Sequence, residues 1–235
     1  VDADLATMLN TACDRVEADF DGLVLANEAE HFSAGANLMV VAMYAAQKNW
    51  TAIEEMIKGF QDVLQRITYL SKPVVSNPHG LTLGGGCEMA MAADRMLVAQ
   101  ECYMGLVEVG VGLIPGGCGT LNLLKRMLRP IPAKSNIDRL PFIQRVFENI
   151  GMAKVATGAG EVFDFGFATE RDAIAINRDT RIADAKRMAR YMADQGYTAP
   201  SPADYLVLPG QDGAAAIDLF VYGMVLSGHA SEHDH

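Results

Sequence analysis

The sequence has few basic residues and no long hydrophobic run. It carries 19 lysine and arginine residues against 29 aspartate and glutamate residues, a formal net charge of −10 over 235 residues. This excess of acid argues against a nucleic-acid backbone or an anionic membrane as the main partner, although a few local cations suffice to bind an anionic small molecule. The longest apolar run, Leu38 to Ala46, is roughly half as long as a membrane-spanning helix, so we expect no membrane span.

Several motifs of known chemistry are also missing. The four cysteines form no CxxC pair and show no metal-like spacing with histidine, which is typical of reduced thiols and a cytoplasmic location. No P-loop, G-x-G-x-x-G motif or G-x-S-x-G elbow occurs, so these residues offer no NAD site. We interpret His229, His233 and His235 as part of a terminal tail, and we expect no metal site.

The hydrophobic pattern predicts short strands that alternate with helices. The predicted helices are residues 3–18, a segment from Leu38, 50–70 and 86–93. The predicted strands are 23–26, 72–77 and 95–99. From about residue 140 the pattern is mostly helical. This alternation indicates an α/β domain with mainly parallel strands.

The most informative segment is a run of glycines followed by an acid. Gly84, Gly85 and Gly86 allow a loop to pass close to a ligand and then turn into a helix, whose first free N–H groups face that ligand. Glu88 lies in the first turn of this helix, and Glu108 follows in a separate apolar run. Anion-stabilising amides beside two carboxylates suit enolate chemistry next to a carbonyl group.

Each of these features, taken alone, also has a structural explanation. The glycines are compatible with tight packing of a helix on a strand, and Glu88 with an exposed first-turn residue that the helix dipole favours. Glu108 is compatible with the solvated side of a strand. A carboxyl group buried among valines and methionines tends to hold its proton, however, which suits a general acid. The three features together favour a catalytic site.

Three segments, in this order, resemble the enoyl-CoA hydratase/isomerase family, the crotonases. They are Phe32-Ser-Ala-Gly-Ala-Asn-Leu38, then Lys72-Pro-Val-Val with Gly80-Leu-Thr-Leu-Gly-Gly-Gly-Cys-Glu-Met-Ala90, then Gly105-Leu-Val-Glu-Val-Gly-Val-Gly-Leu-Ile-Pro-Gly-Gly-Cys-Gly-Thr120. The resemblance is clear over residues 20–125. It implies a single domain, 1–235: a crotonase-type spiral of short strands and helices over about 1–125, followed by a mostly helical C-terminal part over about 126–235.

The resemblance also implies a reaction. The expected reaction is hydration of a trans-2-enoyl-CoA to a 3-hydroxyacyl-CoA in fatty-acid β-oxidation, with the acyl-CoA thioester as partner and no metal or redox cofactor. By position, Ala36 and Gly85 would supply the two N–H groups of an oxyanion hole. Glu88 would act as the base and Glu108 as the acid. The positions expected to line the substrate are Ala34, Asn37, Leu38, Gly84 and Gly116, the last of them beside the catalytic water.

Some features depart from the family pattern. The chain opens on a helix where relatives place strands, the segment 39–70 is long and helix-rich, and Cys118 replaces a smaller residue. These departures resemble the hydratase-like C-terminal part of long 3-hydroxyacyl-CoA dehydrogenases. That resemblance predicts a fragment of a longer multidomain chain, with fused dehydrogenase domains upstream and NAD bound only there. A homo-oligomer of the family's trimer type is the other expected assembly.

Two other functions are compatible with the same residues. A double-bond isomerase of this fold moves one proton with a single carboxylate, and the two glutamates favour a hydratase without excluding that activity. A weakly active acyl-CoA-binding module of a multifunctional dehydrogenase would retain the fold. The intact pair of glutamates counts against such a module, whereas the altered pocket region counts for it.

Overall fold

The computed structural model describes residues 2–202 and 206–235. Val1 and residues 203–205, the latter within the predicted helical C-terminal part, lie outside the described residues. The helices are α1 (Ala3–Asp19), α2 (Leu38–Ala46), α3 (Trp50–Thr68), α4 (Gly85–Met91), α5 (Gly119–Leu128), α6 (Leu140–Gly151), α7 (Ala159–Asp164), α8 (Arg181–Asp194) and α9 (Gln211–Leu226), with a 3₁₀ helix at Glu108–Val111. The strands are β1 (Leu23–Leu25), β2 (Val74–Ser76), β3 (Gly80–Leu83), β4 (Arg95–Ala99), β5 (Cys102–Gly105) and β6 (Ala173–Ala175).

The strands form two parallel sheets. One sheet has the order β1-β2-β4-β6, and the other pairs β3 with β5. Val24 lies opposite Val75 in the first sheet, and Thr82 lies opposite Met104 in the second. The predicted α/β class with mainly parallel strands is therefore confirmed.

Three strands occur where the sequence pattern does not predict them. β3 begins at Gly80, where the pattern predicts only the close of the preceding strand. β5 precedes the Glu108 segment, and β6 lies in the region predicted to be mostly helical. Each has three or four residues and is completed by pairing with a distant strand, as β6 pairs with β4. Their segments mix glycine, alanine, threonine or cysteine with the apolar residues, so they lack the runs of valine and leucine that mark β1 and β2.

Helix α1 and helix α3 cover one side of the core. Their ends are capped: the Asp2 carboxylate accepts from the N–H of Leu5 at 2.9 Å, and the Asn49 side chain accepts from Ala52. Leu64 on α3 is fully buried in the main core cluster. Within the described residues, no helix combines the length and apolar character needed to cross a membrane.

Candidate active site

The turn between β3 and α4 begins at Gly84, whose backbone favours glycine. Its φ of 53° and ψ of −124° lie where a side chain would be strained. The N–H of Gly84 donates to the carbonyl oxygen of Gly105 at 2.9 Å, which ties the turn to β5. Gly85 follows as the first residue of α4, so its N–H has no acceptor within the helix. All of α4 is buried, and this amide therefore has a fixed position.

A second segment, the loop 33–37, passes directly against this turn. Ser33 pairs with β3. Its N–H donates to the carbonyl oxygen of Leu81 at 3.1 Å, and its carbonyl oxygen accepts from the N–H of Leu83 at 2.9 Å. Gly35 has a φ of +93°, and a Cβ atom built on it would lie 3.3 Å from the nitrogen of Gly85. The structure thus brings the residue before Ala36 into contact with Gly85, 50 positions later in the chain.

Glu88 is a buried carboxyl group held at the start of α5. It is only 2% exposed, and its Oε1 accepts from the N–H of Gly119 at 2.7 Å. Burial raises the pKa of Glu88, the Gly119 hydrogen bond opposes this, and the charge of Glu108 raises the pKa further, to about 7 in all. Near pH 7 such a group both takes and gives a proton readily, as acid–base catalysis requires.

Two glycines that are not among the predicted site residues make room for this carboxylate. A Cβ atom on Gly117 would lie 2.4 Å from Glu88 Oε2, and one on Gly119 would lie 2.7 Å from Oε1. No side chain fits at either position without moving the acid. The glycine-rich run before α5 was the available signal, but the run alone does not show which carboxylate packs on it.

Glu108 occupies the 3₁₀ helix, and its carboxylate lies beside the glycine turn. Its Oε1 would be 3.3 Å from a Cβ atom built on Gly84. Its Oε2 is buried and, among the described residues, has no hydrogen-bond partner. Burial raises the pKa of Glu108, against backbone hydrogen bonds that lower it. A desolvated oxygen without a partner makes it easier for this carboxyl group to hold a proton than it is in water.

The other residues predicted to line the substrate lie in the loop 33–37, at the start of α2 and in the loop before α5. Ala34 is exposed on the loop 33–37. Asn37 caps α2 by accepting from the N–H of Met39 at 3.1 Å, and Leu38, the first residue of α2, is exposed. Gly116 contacts α3, where its carbonyl oxygen accepts from Gln61 at 2.6 Å. Gly116 therefore joins α3 to the loop that carries the two glycines under Glu88.

Two clefts, each of about 300 Å³, lie elsewhere and include residues of α6. One includes Arg145 and Lys154, and the other includes Arg126 and Phe163. Neither includes Glu88 or a residue of the loop 33–37. The glycine turn, by contrast, has two acids with raised pKa values beside it, Glu88 and Glu108.

Comparison with known proteins identifies the class. The sequence model of the enoyl-CoA hydratase/isomerase family matches residues 1–131, and the chain belongs to this family. An enoyl-CoA hydratase structure from Bacillus anthracis superposes with a TM-score of 0.67 at 19% sequence identity, covering 99% of this chain and 83% of that one. The fold is accordingly the crotonase fold that the three sequence segments predict.

Particular relatives carry more specific names. A "Probable 3-hydroxyacyl-CoA dehydrogenase" from Bacillus subtilis (strain 168) is 38% identical over 231 residues, which are 98% of this chain and 28% of that protein. A "Crotonyl-CoA hydratase" from Syntrophomonas wolfei is 38% identical over 105 residues, 44% of this chain and 38% of that protein. The chain spans less than a third of the length of the Bacillus subtilis relative.

Proposed function

We propose that this chain hydrates trans-2-enoyl-CoA thioesters to 3-hydroxyacyl-CoA thioesters. The observation that carries the proposal is the pair of desolvated carboxyl groups, Glu88 and Glu108, on the two sides of one glycine turn. Hydratases are named among its relatives, and the family model covers both glutamates. Hydration changes no oxidation state, so the proposed step requires no redox cofactor.

The proposed step adds one water across the conjugated double bond. Ionised Glu88 takes a proton from the water as the oxygen attacks Cβ, and the π electrons move onto the thioester as an enolate. Glu108 then gives its proton to Cα, which restores the thioester. After the step Glu88 holds the proton taken from the water and Glu108 has lost its own. Glu88 then releases a proton to solvent and Glu108 takes one up, so both groups return to their starting forms and the elements of water remain in the product.

The N–H groups of Ala36 and Gly85 are proposed to stabilise the enolate oxygen. Charge gathers on that oxygen only as the double bond is attacked, so donors aimed at it lower the barrier rather than merely binding the substrate. Each such donor contributes about 3 kcal/mol at the transition state. The contact of Gly35 with the nitrogen of Gly85 supports this role, because it brings the two backbone segments together.

The test is an assay with crotonyl-CoA that follows the loss of the conjugated enone absorbance. Glu88→Gln and Glu108→Gln should each lower kcat by about 100-fold or more, because each removes a positioned proton-transfer group. For the wild type, kcat/KM should rise as the pH passes through about 7, because the base must be ionised. Glu148→Gln is the matched control, since Glu148 is half exposed and pairs with Lys154.

Each outcome discriminates. Wild-type turnover in either glutamate variant, with Glu148→Gln also active, would reject the paired mechanism for that residue. Activity lost only in Glu88→Gln or only in Glu108→Gln would favour a double-bond isomerase, which 3-enoyl-CoA substrates would then reveal. A folded wild type that binds acyl-CoA without turnover would favour a binding module.

We also propose that the product serves an NAD-dependent dehydrogenase of the same natural protein. The support is the printed name of the Bacillus subtilis relative and the 28% of its length that this chain spans. A 3-hydroxyacyl thioester is the substrate that such a dehydrogenase oxidises. Intact-mass analysis of the protein from its native source tests this, and a mature protein of these 235 residues alone would contradict it.

A further inference from the structure

A buried arginine connects helix α8 to the ends of two strands. Arg181, the first residue of α8, is only 4% exposed. Its Nη1 and Nη2 each donate to the carbonyl oxygen of Asn27 at 3.1 Å, and Nη1 also donates to Oδ1 of Asn77 at 3.2 Å. Asn27 follows β1 and Asn77 follows β2, so one guanidinium group joins three elements.

The guanidinium of Arg181 has no carboxylate partner among the ion pairs of the described residues. Burial and the charge of Arg178 lower its pKa, whereas the charge of Glu28 raises it. A buried charge satisfied only by carbonyl oxygens contributes little net stability. Its planar fork does fix the geometry of its acceptors. A positional role therefore explains the contact better than a stabilising ion pair.

The acceptors of Arg181 belong to a closed hydrogen-bond network. The side chain of Asn27 donates from Nδ2 to the carbonyl oxygen of Phe32 at 3.0 Å, and the N–H of Phe32 donates to the carbonyl oxygen of His79 at 3.0 Å. The ring nitrogens of His79 lie 3.0 Å from the carbonyl oxygen of Asn77 and 3.1 Å from that of Ala29. Arg181 therefore donates to two members of this network, Asn27 and Asn77. Phe32 is bonded within the same network through both its carbonyl oxygen and its N–H.

Phe32 immediately precedes the loop 33–37. A Cβ atom on Gly86 would lie 2.5 Å from the carbonyl oxygen of Ser33, so Ser33 is pressed onto the first turn of α4. Phe32 is thus connected through Ser33 to Gly35, which lies against Gly85, and to Ala36. A misplacement of about 1 Å from a residue distant from the chemistry can cost about 100-fold in rate.

We infer that Arg181 is a positioning residue. Through Asn27 and Asn77 it fixes the position of the N–H group of Ala36, the proposed oxyanion donor. The effect of Arg181 on the rate rests on the proposed hydratase function. Its effect on the position of the loop 33–37 does not depend on that function. The guanidinium acts over a separation of 154 residues, between Arg181 and Asn27. It links the C-terminal part of the chain to the site.

The experiment compares Arg181→Gln, Arg181→Lys and the control Arg190→Gln. Arg190 lies on the same helix but is exposed and pairs with Asp21 and Asp194. Arg181→Gln should lower kcat for crotonyl-CoA by about 10- to 100-fold with a smaller change in KM, because the oxyanion contact strengthens in the transition state. Arg181→Lys should recover part of this loss, and Arg190→Gln should behave as the wild type.

Amide hydrogen exchange on the intact chain gives a readout independent of turnover. In Arg181→Gln the amides of Phe32 and Ser33 should exchange about tenfold faster, the effect of losing about one hydrogen bond, while those of β2 remain protected. If Arg181→Gln does not fold, kcat and amide exchange are measured on Arg181→Lys instead. A lower kcat with faster exchange at Phe32 and Ser33 supports the inference, and wild-type values of both contradict it.

Two results would overturn the inference. One is a folded variant with unchanged kcat and unchanged exchange at Phe32. The other is faster exchange spread equally over β2 and α8, which would show a general structural role. A wild type without hydratase activity would reject the proposed function, whereas the exchange data would still decide whether Arg181 positions the loop.

Discussion

Glu88 combines deep burial with a raised pKa, and this makes the stability of the protein depend on pH. The pKa rises from 4.5 to about 7 on folding, so between these values the folded chain holds a proton that the unfolded chain has lost. A group with a raised pKa stabilises the fold below pH 4.5, and this contribution is lost as the pH rises through about 7. Unfolding free energy should therefore fall with pH over this window.

We expect Glu88→Gln to remove that part of the pH dependence. Between pH 4.5 and 8, the free energy of unfolding of the wild type should fall relative to Glu88→Gln by on the order of 3 kcal/mol. Urea unfolding of both proteins at the two pH values measures the difference. Glu148→Gln should leave it intact, and equal slopes for the wild type and Glu88→Gln would contradict the raised pKa.

The elements that carry the acids differ in how visible they are in the sequence. The periodic apolar positions of α1 and α3 predict those helices, and the glycine run predicts the start of α4. β3 and β6 could not be predicted, because glycine, threonine or alanine interrupts their apolar residues and because they exist through pairing with distant strands. The 3₁₀ helix at Glu108–Val111 was likewise hidden, since an apolar run of this length suits a strand equally well.

Gly117 tests how closely the loop before α5 fits the acid. In Gly117→Ala the new Cβ atom would lie 2.4 Å from Glu88 Oε2 and 2.5 Å from the ring of Phe60. The carboxylate must move, so we expect kcat for crotonyl-CoA to fall by about 10- to 100-fold while the circular dichroism spectrum is retained.

The matched control for this substitution is Gly59→Ala, on helix α3 next to Phe60. A Cβ atom there meets nothing within 4 Å, and alanine is the better helix former. This variant should keep the wild-type rate and gain slightly in stability. Full activity in Gly117→Ala would show that the carboxylate does not need its observed position.

At the scale of the whole molecule, sequence patterns indicate which carboxylates are candidates for catalysis. They do not indicate the contacts that fix the positions of these groups. Glu88 and Glu108 could be proposed from a glycine turn and an apolar run, because those signals are local. The bond from Gly119 to Glu88 spans 31 residues and the bond from Arg181 to Asn27 spans 154. Such contacts depend on how the two sheets and α8 assemble, which periodicity and composition do not encode.

A second buried contact fixes the C-terminal part to the core. Asp172, just before β6, has a side chain that is 1% exposed and lies 3.2 Å from the guanidinium of Arg126 on α5. Asp172 also accepts from the N–H of Met96 on β4 at 2.6 Å and from the N–H of Thr169 at 2.7 Å. One carboxylate therefore joins α5, β4 and the approach to β6.

We expect Asp172→Ala to destabilise the whole chain, because it leaves Arg126 buried without its carboxylate. Breaking a buried pair on one side costs about 3–5 kcal/mol, and the loss should appear as a lower denaturation midpoint in urea with the core and the C-terminal part unfolding together. Asp62→Ala is the control, since Asp62 forms an exposed pair with Lys58 on α3, and such pairs contribute little. A midpoint shift in Asp172→Ala no larger than that of the control would show that the sheet holds β6 without this carboxylate.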